Sequence, residues 1–368
     1  MFDMKKIILI MSLFLTGIIF FKTETVMAKD NEEDKVGFYI QSETSSNQLD
    51  NSASYFYVRT KPGEKQTLKV SVVSTRKEPV TIIPVLQDAY SSPYGSIIYS
   101  NEDDVMFNRD ETMKNSITDI VKMPTQEITV ANEEVKVVEL EIDPPKEHYD
   151  GVKMGRIEFV TKTDDKETIS SPIAYNIGII LAEDGSDFID SRSLNLVDVK
   201  AELWEGKKAV VAKFQNPEPK LIENLTIRTK IKDEKSQKII KERAVKGFAM
   251  APNSEMQFVL DWGLVKLPAG NFIFEATAES EFENWEFSQK FTITDRQAKD
   301  INTESAFTII TPKWVKAFAV VNGVVVAIIV ALLFIRRKKM TESFNKMKRR
   351  TKKNHSRKKK LNSRRGEK

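Results

Sequence analysis

The feature that most constrains this chain is an apolar run over residues 315–335, which four basic residues at 336–339 follow at once. A helix rises about 1.5 Å per residue, so a run of this length spans the hydrocarbon core of a bilayer. Trp314 lies where interfacial aromatic residues are usually found. A buried core helix explains the run less well, because the run is long and its basic flank abrupt. The sequence therefore predicts a transmembrane helix at 314–335.

The charges on either side of this helix predict its orientation. Residues 336–368 carry 17 Lys and Arg against two acidic residues. The whole chain has a net charge of +4. Subtracting +15 for residues 336–368, +1 for residues 1–28 and +2 for residues 313–335 leaves −14 for residues 29–312. The positive-inside rule then places the tail in the cytoplasm and the acidic body outside. We expect a disordered tail that lies on anionic lipid.

Specific binding of nucleic acid is not expected of either segment. An acidic body is unsuited to a phosphate backbone. The basic tail has Phe344 as its sole aromatic residue, so it lacks a platform on which bases could stack.

The N-terminus has the organisation of a secretory signal peptide. Lys5 and Lys6 precede an apolar run over residues 7–21, and Val26 and Ala28 suit cleavage before Lys29. The alternative is an uncleaved membrane anchor, but that would need about 20 apolar residues. We predict a signal peptide at residues 1–28.

The chain contains no cysteine. Disulfides, cysteine-ligated zinc, iron–sulfur clusters and thiol nucleophiles are therefore excluded. An exported chain without disulfides depends on its hydrophobic cores, so we expect domains of ordinary size rather than small stapled modules.

The body shows the period-two alternation of β-strands. Leu68, Val70 and Val72 alternate with polar residues, and the same pattern recurs around Leu225 and Ile227. Residues 175–181 are almost uniformly apolar, which indicates a strand buried on both faces. A short helical turn is expected around residues 116–121. The fold class predicted is all-β, with two tandem immunoglobulin-like β-sandwich domains that lack the cysteine pair of the antibody type. The predicted segments are a first sandwich at 36–181, an acidic linker at 182–191, a second sandwich at 192–294 and a stalk at 295–313.

Residues for catalysis are scarce. A Ser-His-Asp arrangement would have to use His148, which lies in a Pro-rich turn typical of surface or packing residues. No phosphate-binding loop or dinucleotide motif is present in the sequence. We predict no catalytic residue and no cofactor-binding residue.

Two acidic loops are conceivable calcium sites. They are residues 101–104, and residues 184–187 with Asp190 nearby. Neither matches the twelve-residue loop of an EF-hand, and solvated acidic loops explain both. We predict no metal ligand.

Aromatic side chains are the remaining candidates for binding. Residues 55–57 form a dense aromatic group, which is either a core strand or a binding surface, and the core strand is favoured. Tyr90, Tyr94 and Tyr99 lie in a segment rich in Ser, Pro and Gly, where exposure and burial are equally plausible. Aromatic rings stack on sugars or on partner side chains, so we predict these three tyrosines as glycan-binding or partner-binding residues.

Several short segments, taken in order, resemble the WxL-interacting proteins of Gram-positive bacteria. The segments are VGFYI at 36–40, SYF at 54–56, KPGEKQ at 61–66, YDGV at 149–152 with the later Gly155, FQNP at 214–217, MAPNS at 250–254, WEF at 285–287 and FTIT at 291–294. The chain departs from many members at residues 41–43, where QSE replaces a run that contains proline.

The resemblance implies a membrane-anchored cell-surface adaptor that is not an enzyme. Its first domain would bind peptidoglycan, and its second would bind host extracellular proteins and other partners, among them WxL-domain surface proteins. We expect residues 36–181 to bind the wall glycan or a WxL-domain protein, and residues 192–294 to present a second binding face. No cofactor is implied, and no binding residue is carried over from the family. Two other functions remain open. One is an extracytoplasmic sensor that signals through the tail, and the other is an enzyme that acts on wall glycan through His148.

Overall fold

The computed structural model describes residues 37–101, 109–123, 126–162, 173–185, 187–308 and 312–365. Up to residue 293 these residues fold mostly into β-strands, and two helices follow. The elements of the first half are β1 Phe38–Ser42, β2 Phe56–Arg59, β3 Gln66–Ser74, β4 Val80–Ser91, β5 Ile97–Ser100, α1 Ile117–Ile120, β6 Val121–Lys122, β7 Ile128–Val130, β8 Val135–Ile142, β9 Val152–Thr161 and β10 Ala174–Ala182. Those of the second half are β11 Asn195–Trp204, β12 Lys207–Asn216, β13 Ile222–Asp233, β14 Ile239–Met250, β15 Ser254–Asp261, β16 Gly270–Glu279, β17 Asn284–Ile293, α2 Asp295–Glu304 and α3 Lys313–Arg365.

Strands β1 to β10 form a sandwich of two sheets. One sheet has the order β1-β3-β8-β6, and the other has the order β2-β10-β9-β4-β5 with β7 paired to β4. The inward residues of both sheets form one apolar core, to which Phe38, Phe56 and Phe159 contribute the largest side chains. Phe56 and Tyr57 of the aromatic group are buried, which confirms the core-strand interpretation for these two residues.

Strand β10 is covered on both faces in its C-terminal half. Ile179 and Leu181 belong to the main core, whereas Ile180 packs on the opposite face with Tyr57 and Val152. The prediction of a doubly buried strand is confirmed there. The predicted helical turn is also confirmed as α1. Ser116 and Asp119 form a capping box at its N-terminus.

Strands β11 to β17 form a second sandwich. Its sheets have the orders β11-β12-β15 and β14-β13-β16-β17. The alternation in β13 is followed closely, because Leu225, Ile227 and Ile231 are buried while the residues between them are more exposed or polar. The ring of Phe214 in β12 meets that of Phe258 at 6.1 Å and that of Phe287 at 5.6 Å between centroids.

The chain divides into two compact units. In the second unit, α2 is a docked helix, because its Ala298 and Ile301 are buried. The side chain of Asn302 accepts a hydrogen bond from the Leu267 N–H and donates one to the Leu267 carbonyl, both at 2.8 Å. The first part of the predicted stalk is therefore a helix, and its Asn302 side chain is hydrogen-bonded to Leu267. The first unit comprises residues 1–202, 209–261 and 269–295, with both sandwiches, and the second comprises residues 203–208, 262–268 and 296–368.

Helix α3 contains the predicted span and continues far beyond it. The stretch Ala317–Lys348 is long and apolar enough to cross a membrane. The expectation of a disordered tail is wrong, since the helix extends to Arg365. Lys, Arg, Met and Leu are good helix formers, and the first Gly after the span is Gly366. The predicted signal peptide at residues 1–28 lies outside the described residues.

Candidate functional site

The three predicted tyrosines lie on one β-hairpin, but they do not share one face. The segment is not a loop, because Tyr90 belongs to β4 and Tyr99 to β5. Tyr90 is buried in the first sandwich. The Tyr99 ring lies 5.0 Å from the Arg156 guanidinium, and burial raises the pKa of its phenol. Tyr94, in the turn, is 66% exposed and presents its ring to solvent. A binding role for these residues stays a prediction.

The tip of this hairpin packs against the second sandwich. Gly95 has φ +81°, and a Cβ atom there would lie 2.2 Å from the Phe248 ring of β14. The Ala249 N–H donates a hydrogen bond to the Gly95 carbonyl at 2.8 Å. Only glycine allows this backbone conformation and this close approach together.

A buried ring of hydrogen bonds continues the contact. The Ala251 N–H donates to Ser91 Oγ at 2.9 Å, and Ser91 Oγ lies 2.5 Å from Ser254 Oγ. The Ser254 hydroxyl donates to the Ala251 carbonyl at 2.8 Å. Both serines are buried. Because the polar groups satisfy one another, the ring joins the sandwiches without an unpaired buried donor.

The opposite end of the contact uses a second glycine. Gly151 has φ +65°, and its Cβ position would lie 2.3 Å from the Pro219 carbonyl oxygen. That oxygen accepts a hydrogen bond from the Val152 N–H at 2.8 Å. The Gln215 amide donates to Asp110 Oδ2 at 2.9 Å.

We call the whole contact the seam. Three of the segments on which the family resemblance rests meet there, namely residues 149–152, 214–217 and 250–254. These motifs therefore hold the two sandwiches together. Sequence analysis missed this role. The available signal was the glycine or proline that stands beside polar residues in each motif.

A polar network in the first sandwich supports one side of the seam. The carboxylate of Asp88 is 1% exposed and accepts hydrogen bonds from Thr118 N at 3.0 Å and Thr118 Oγ1 at 2.7 Å. Arg109 donates to Asp88 at 3.3 Å and to Asp119 at 2.9 Å. The network fixes the segment that carries Asp110, which reaches Gln215 across the seam.

His148 lies between two carboxylates. Its Nδ1 is 2.5 Å from Glu183 and its Nε2 is 3.2 Å from Asp150. The hydrogen bond to Glu183 raises the pKa of the imidazole. Glu183 also accepts from the Tyr149 N–H at 3.0 Å, so its charge is held in place. The His148 side chain is largely exposed, so this is a surface contact that ties the end of β10 to the turn before β9.

The acidic loops give no metal site that can be described. Most of residues 101–104 lie outside the described residues, and so does Ser186 in the second loop. Within the part of the chain that the structure describes, no three His, Asp or Glu residues are grouped closely enough to hold a metal ion.

The outer face of the four-stranded sheet in the second sandwich carries an open groove. Its volume is about 540 Å³. Cations of β13 stand beside anions of β16, and Lys232 pairs with Glu275 at 2.6 Å while Arg228 pairs with Glu279 at 3.3 Å. The lining also includes Ala276 and Phe287, so the surface offers both hydrogen-bonding groups and apolar contact. The polar lining residues are Arg228, Lys230, Glu275, Thr277, Glu286 and Ser288.

Two family models match the chain in tandem. Residues 38–161 match the model described as WxL Interacting Protein, peptidoglycan binding domain. Residues 164–303 match the model described as WxL Interacting Protein, host binding domain. The second match begins before β10, which the structure places in the first sandwich. No curated protein matches the chain above the threshold of the comparison.

Solved structures with similar chains include several fimbrial and related chaperones. The YadV chaperone is 11% identical with a TM-score of 0.27, covering 70% of this chain and 100% of that one. The Class 5 fimbriae chaperone CfaA is 14% identical with a TM-score of 0.24, covering 64% and 96%. The E. coli chaperone DraB is 12% identical with a TM-score of 0.23, covering 62% and 90%. TM-scores this low carry no argument about this chain.

Proposed function

The chain belongs to the WxL-interacting protein family, and from this we propose that it is a membrane-anchored, non-enzymatic adaptor of the cell surface. In this proposal the first sandwich binds peptidoglycan, and the second binds WxL-domain surface proteins or host extracellular proteins. The observation that carries it is the order of the two matched domains, followed by one apolar helix.

The proposal assigns each segment a place. The signal peptide at 1–28 exports the body, the helix at 314–335 anchors it, and the basic tail at 336–368 stays in the cytoplasm. We propose 36–181 and 192–294 as the domain limits, with a short linker at 182–191. The strand pairing of β10 with β2 and β9 supports the first limit.

The charge of the body indicates how the wall is bound. Residues 29–312 are acidic, so anionic wall polymers are repelled at long range, and salt screens that repulsion beyond about 8–10 Å. Short-range hydrogen bonds and ring stacking must then supply the affinity.

We expect that salt does not weaken binding to isolated sacculi. The full-length protein in detergent should sediment with sacculi at least as well at about 1 M NaCl as at about 0.1 M, because uncharged contacts are not screened while repulsion between like charges is. Bound fractions from pelleting at both salt concentrations measure this. Loss of binding at high salt would contradict the uncharged mode, and no pelleting at any salt would contradict wall binding itself.

One observation favours the sensor as a second candidate. Helix α3 runs from the span to Arg365 as one element, so a movement of the span would be carried into the tail. Deletion of residues 340–368 separates the two functions. An adaptor keeps its surface binding after this deletion, whereas a sensor loses its cellular output.

A further inference from the structure

The outer face of the sheet β1-β3-β8 carries two successive rows without charge. Tyr39 is directly opposite Val73, which is opposite Val135 on the next strand. The adjacent row on the same face is Gln41, Ser71 and Val137. We call these six residues the uncharged patch.

The exposure of this patch is large for apolar side chains. Tyr39 is 47% exposed, Val135 is 56% exposed and Val137 is 49% exposed. Neighbouring apolar residues that stay exposed across strands often mark an interaction surface, whereas isolated ones do not.

The rest of the same face is charged and paired. Lys69 pairs with Glu139 at 3.3 Å, and Lys65 pairs with Glu141 at 2.6 Å. Cross-strand pairs of this kind keep a solvated face soluble and block contact between sheets. The uncharged rows therefore interrupt an otherwise ordinary solvated surface.

We propose that the uncharged patch binds the neutral N-acetylated sugar backbone of the wall glycan. This rests on the proposed function, and the sheet lies within the residues that match the peptidoglycan-binding domain. The Tyr39 ring stacks on the C–H face of a sugar, and Val135 and Val137 contact acetyl methyl groups. The Gln41 amide supplies donors and an acceptor beside the ring, and Ser71 Oγ, whose hydroxyl donates to Glu43 at 3.3 Å, adds an acceptor.

The charge distribution favours this occupant. The body carries −14, so most of its surface repels acidic stem peptides and wall polymers. The patch itself adds no charge that must be desolvated when a neutral sugar binds. It is thus a place where an acidic domain can touch the wall at short range.

The test measures the affinity of the full-length protein in detergent for sacculi. Tyr39→Ala should raise the Kd about tenfold, as loss of a central aromatic contact does, while Tyr39→Phe keeps the ring and the affinity. Val137→Glu should also weaken binding, because it places on the patch a charge that must be desolvated. These side chains point to solvent, so the melting curve by circular dichroism should match the wild type.

Tyr94→Ala tests the rival site, because Tyr94 is a still more exposed tyrosine on the β4–β5 hairpin, for which a glycan-binding role stays a prediction. If the uncharged patch alone binds the glycan, the Kd of Tyr94→Ala equals that of the wild type. If Tyr94→Ala weakens binding and Tyr39→Ala does not, the patch is wrong and the hairpin is the site. If Tyr39→Ala spares sacculi and abolishes capture of a WxL-domain protein, the patch binds protein instead.

A soluble probe separates this inference from the proposed function. When wild type and Tyr39→Ala sediment equally with sacculi, the patch is overturned and wall binding stands. When even the wild type fails to sediment, wall binding fails, and calorimetric titration with chitotetraose decides on the patch. If chitotetraose binds the wild type and not Tyr39→Ala, the patch is still supported. If chitotetraose does not bind the wild type, the patch is overturned.

Discussion

Gly95→Ala is expected to uncouple the two sandwiches. The new Cβ would lie 2.2 Å from the Phe248 ring, at a φ of +81° that alanine rarely adopts. Left-handed backbone costs about 1–2 kcal/mol, and overpacking adds about 1–3 kcal/mol, so we expect a loss of about 3 kcal/mol. Relief of the clash requires the Phe248 ring or the hairpin tip to shift, and either shift loosens the seam.

Urea unfolding with two probes measures this effect. The four tryptophans all lie at or beyond Trp204, so their fluorescence follows the second half of the chain. Far-ultraviolet circular dichroism follows both sandwiches together with helix α3. The wild type should show coincident transitions, and Gly95→Ala should separate them.

Gly63→Ala is the control for backbone strain. Gly63 has φ +67°, but its Cβ position meets only Lys146 Cγ at 3.6 Å, which is ordinary contact. It should cost about 1 kcal/mol and leave the two transitions coincident. Equal losses for Gly95→Ala and Gly63→Ala would show that the seam contributes nothing.

Asp88→Ala is expected to destabilise the first sandwich by about 3 kcal/mol or more. The buried carboxylate pairs with Arg109 and accepts two hydrogen bonds from Thr118. Its removal leaves the Arg109 guanidinium and the two Thr118 donors without this acceptor. Thermal or urea unfolding of the full-length protein gives the free energy change. We also expect weaker coupling to the second sandwich, because the same segment carries Asp110.

Asp119→Ala is the matched variant for this network. Asp119 pairs with the same guanidinium at 2.9 Å, but its side chain is far more exposed than that of Asp88. We expect a loss of about 1 kcal/mol, which reflects a solvated pair and a helix cap. A loss as large as that of Asp88→Ala would contradict the role given to burial.

The strands and the helical turn that short-range residue patterns determine were predictable from the sequence. The alternation around Leu225 and Ile227 became a strand with the expected burial. The apolar run before Ala182 also became a strand, but it is buried on both faces only in its C-terminal half. The turn at Ser116 formed because its capping residues are adjacent in the chain.

Features that depend on distant contacts were not predictable in this way. The hairpin around Tyr94 has turn-like composition, and its strands form because β9 and the second sandwich hold them. The uncharged patch exists only in the register of β1, β3 and β8, and Tyr39 gives no sign of it in sequence. The tail helix was not predicted, because dense positive charge is typical of disordered tails. The helix propensity of its Lys, Arg and Met residues nevertheless favours a helix.

The central claim is that the first sandwich carries the wall contact while the second stays available to protein partners. Hydrogen–deuterium exchange of the full-length protein, with and without soluble peptidoglycan fragments, tests it directly. Full-length protein is needed, because truncation would expose the buried serines of the seam. We predict slower exchange in β1, β3 and β8 and no change in residues 192–294. Slower exchange that is confined to the second sandwich when the peptidoglycan fragments are added would contradict the claim.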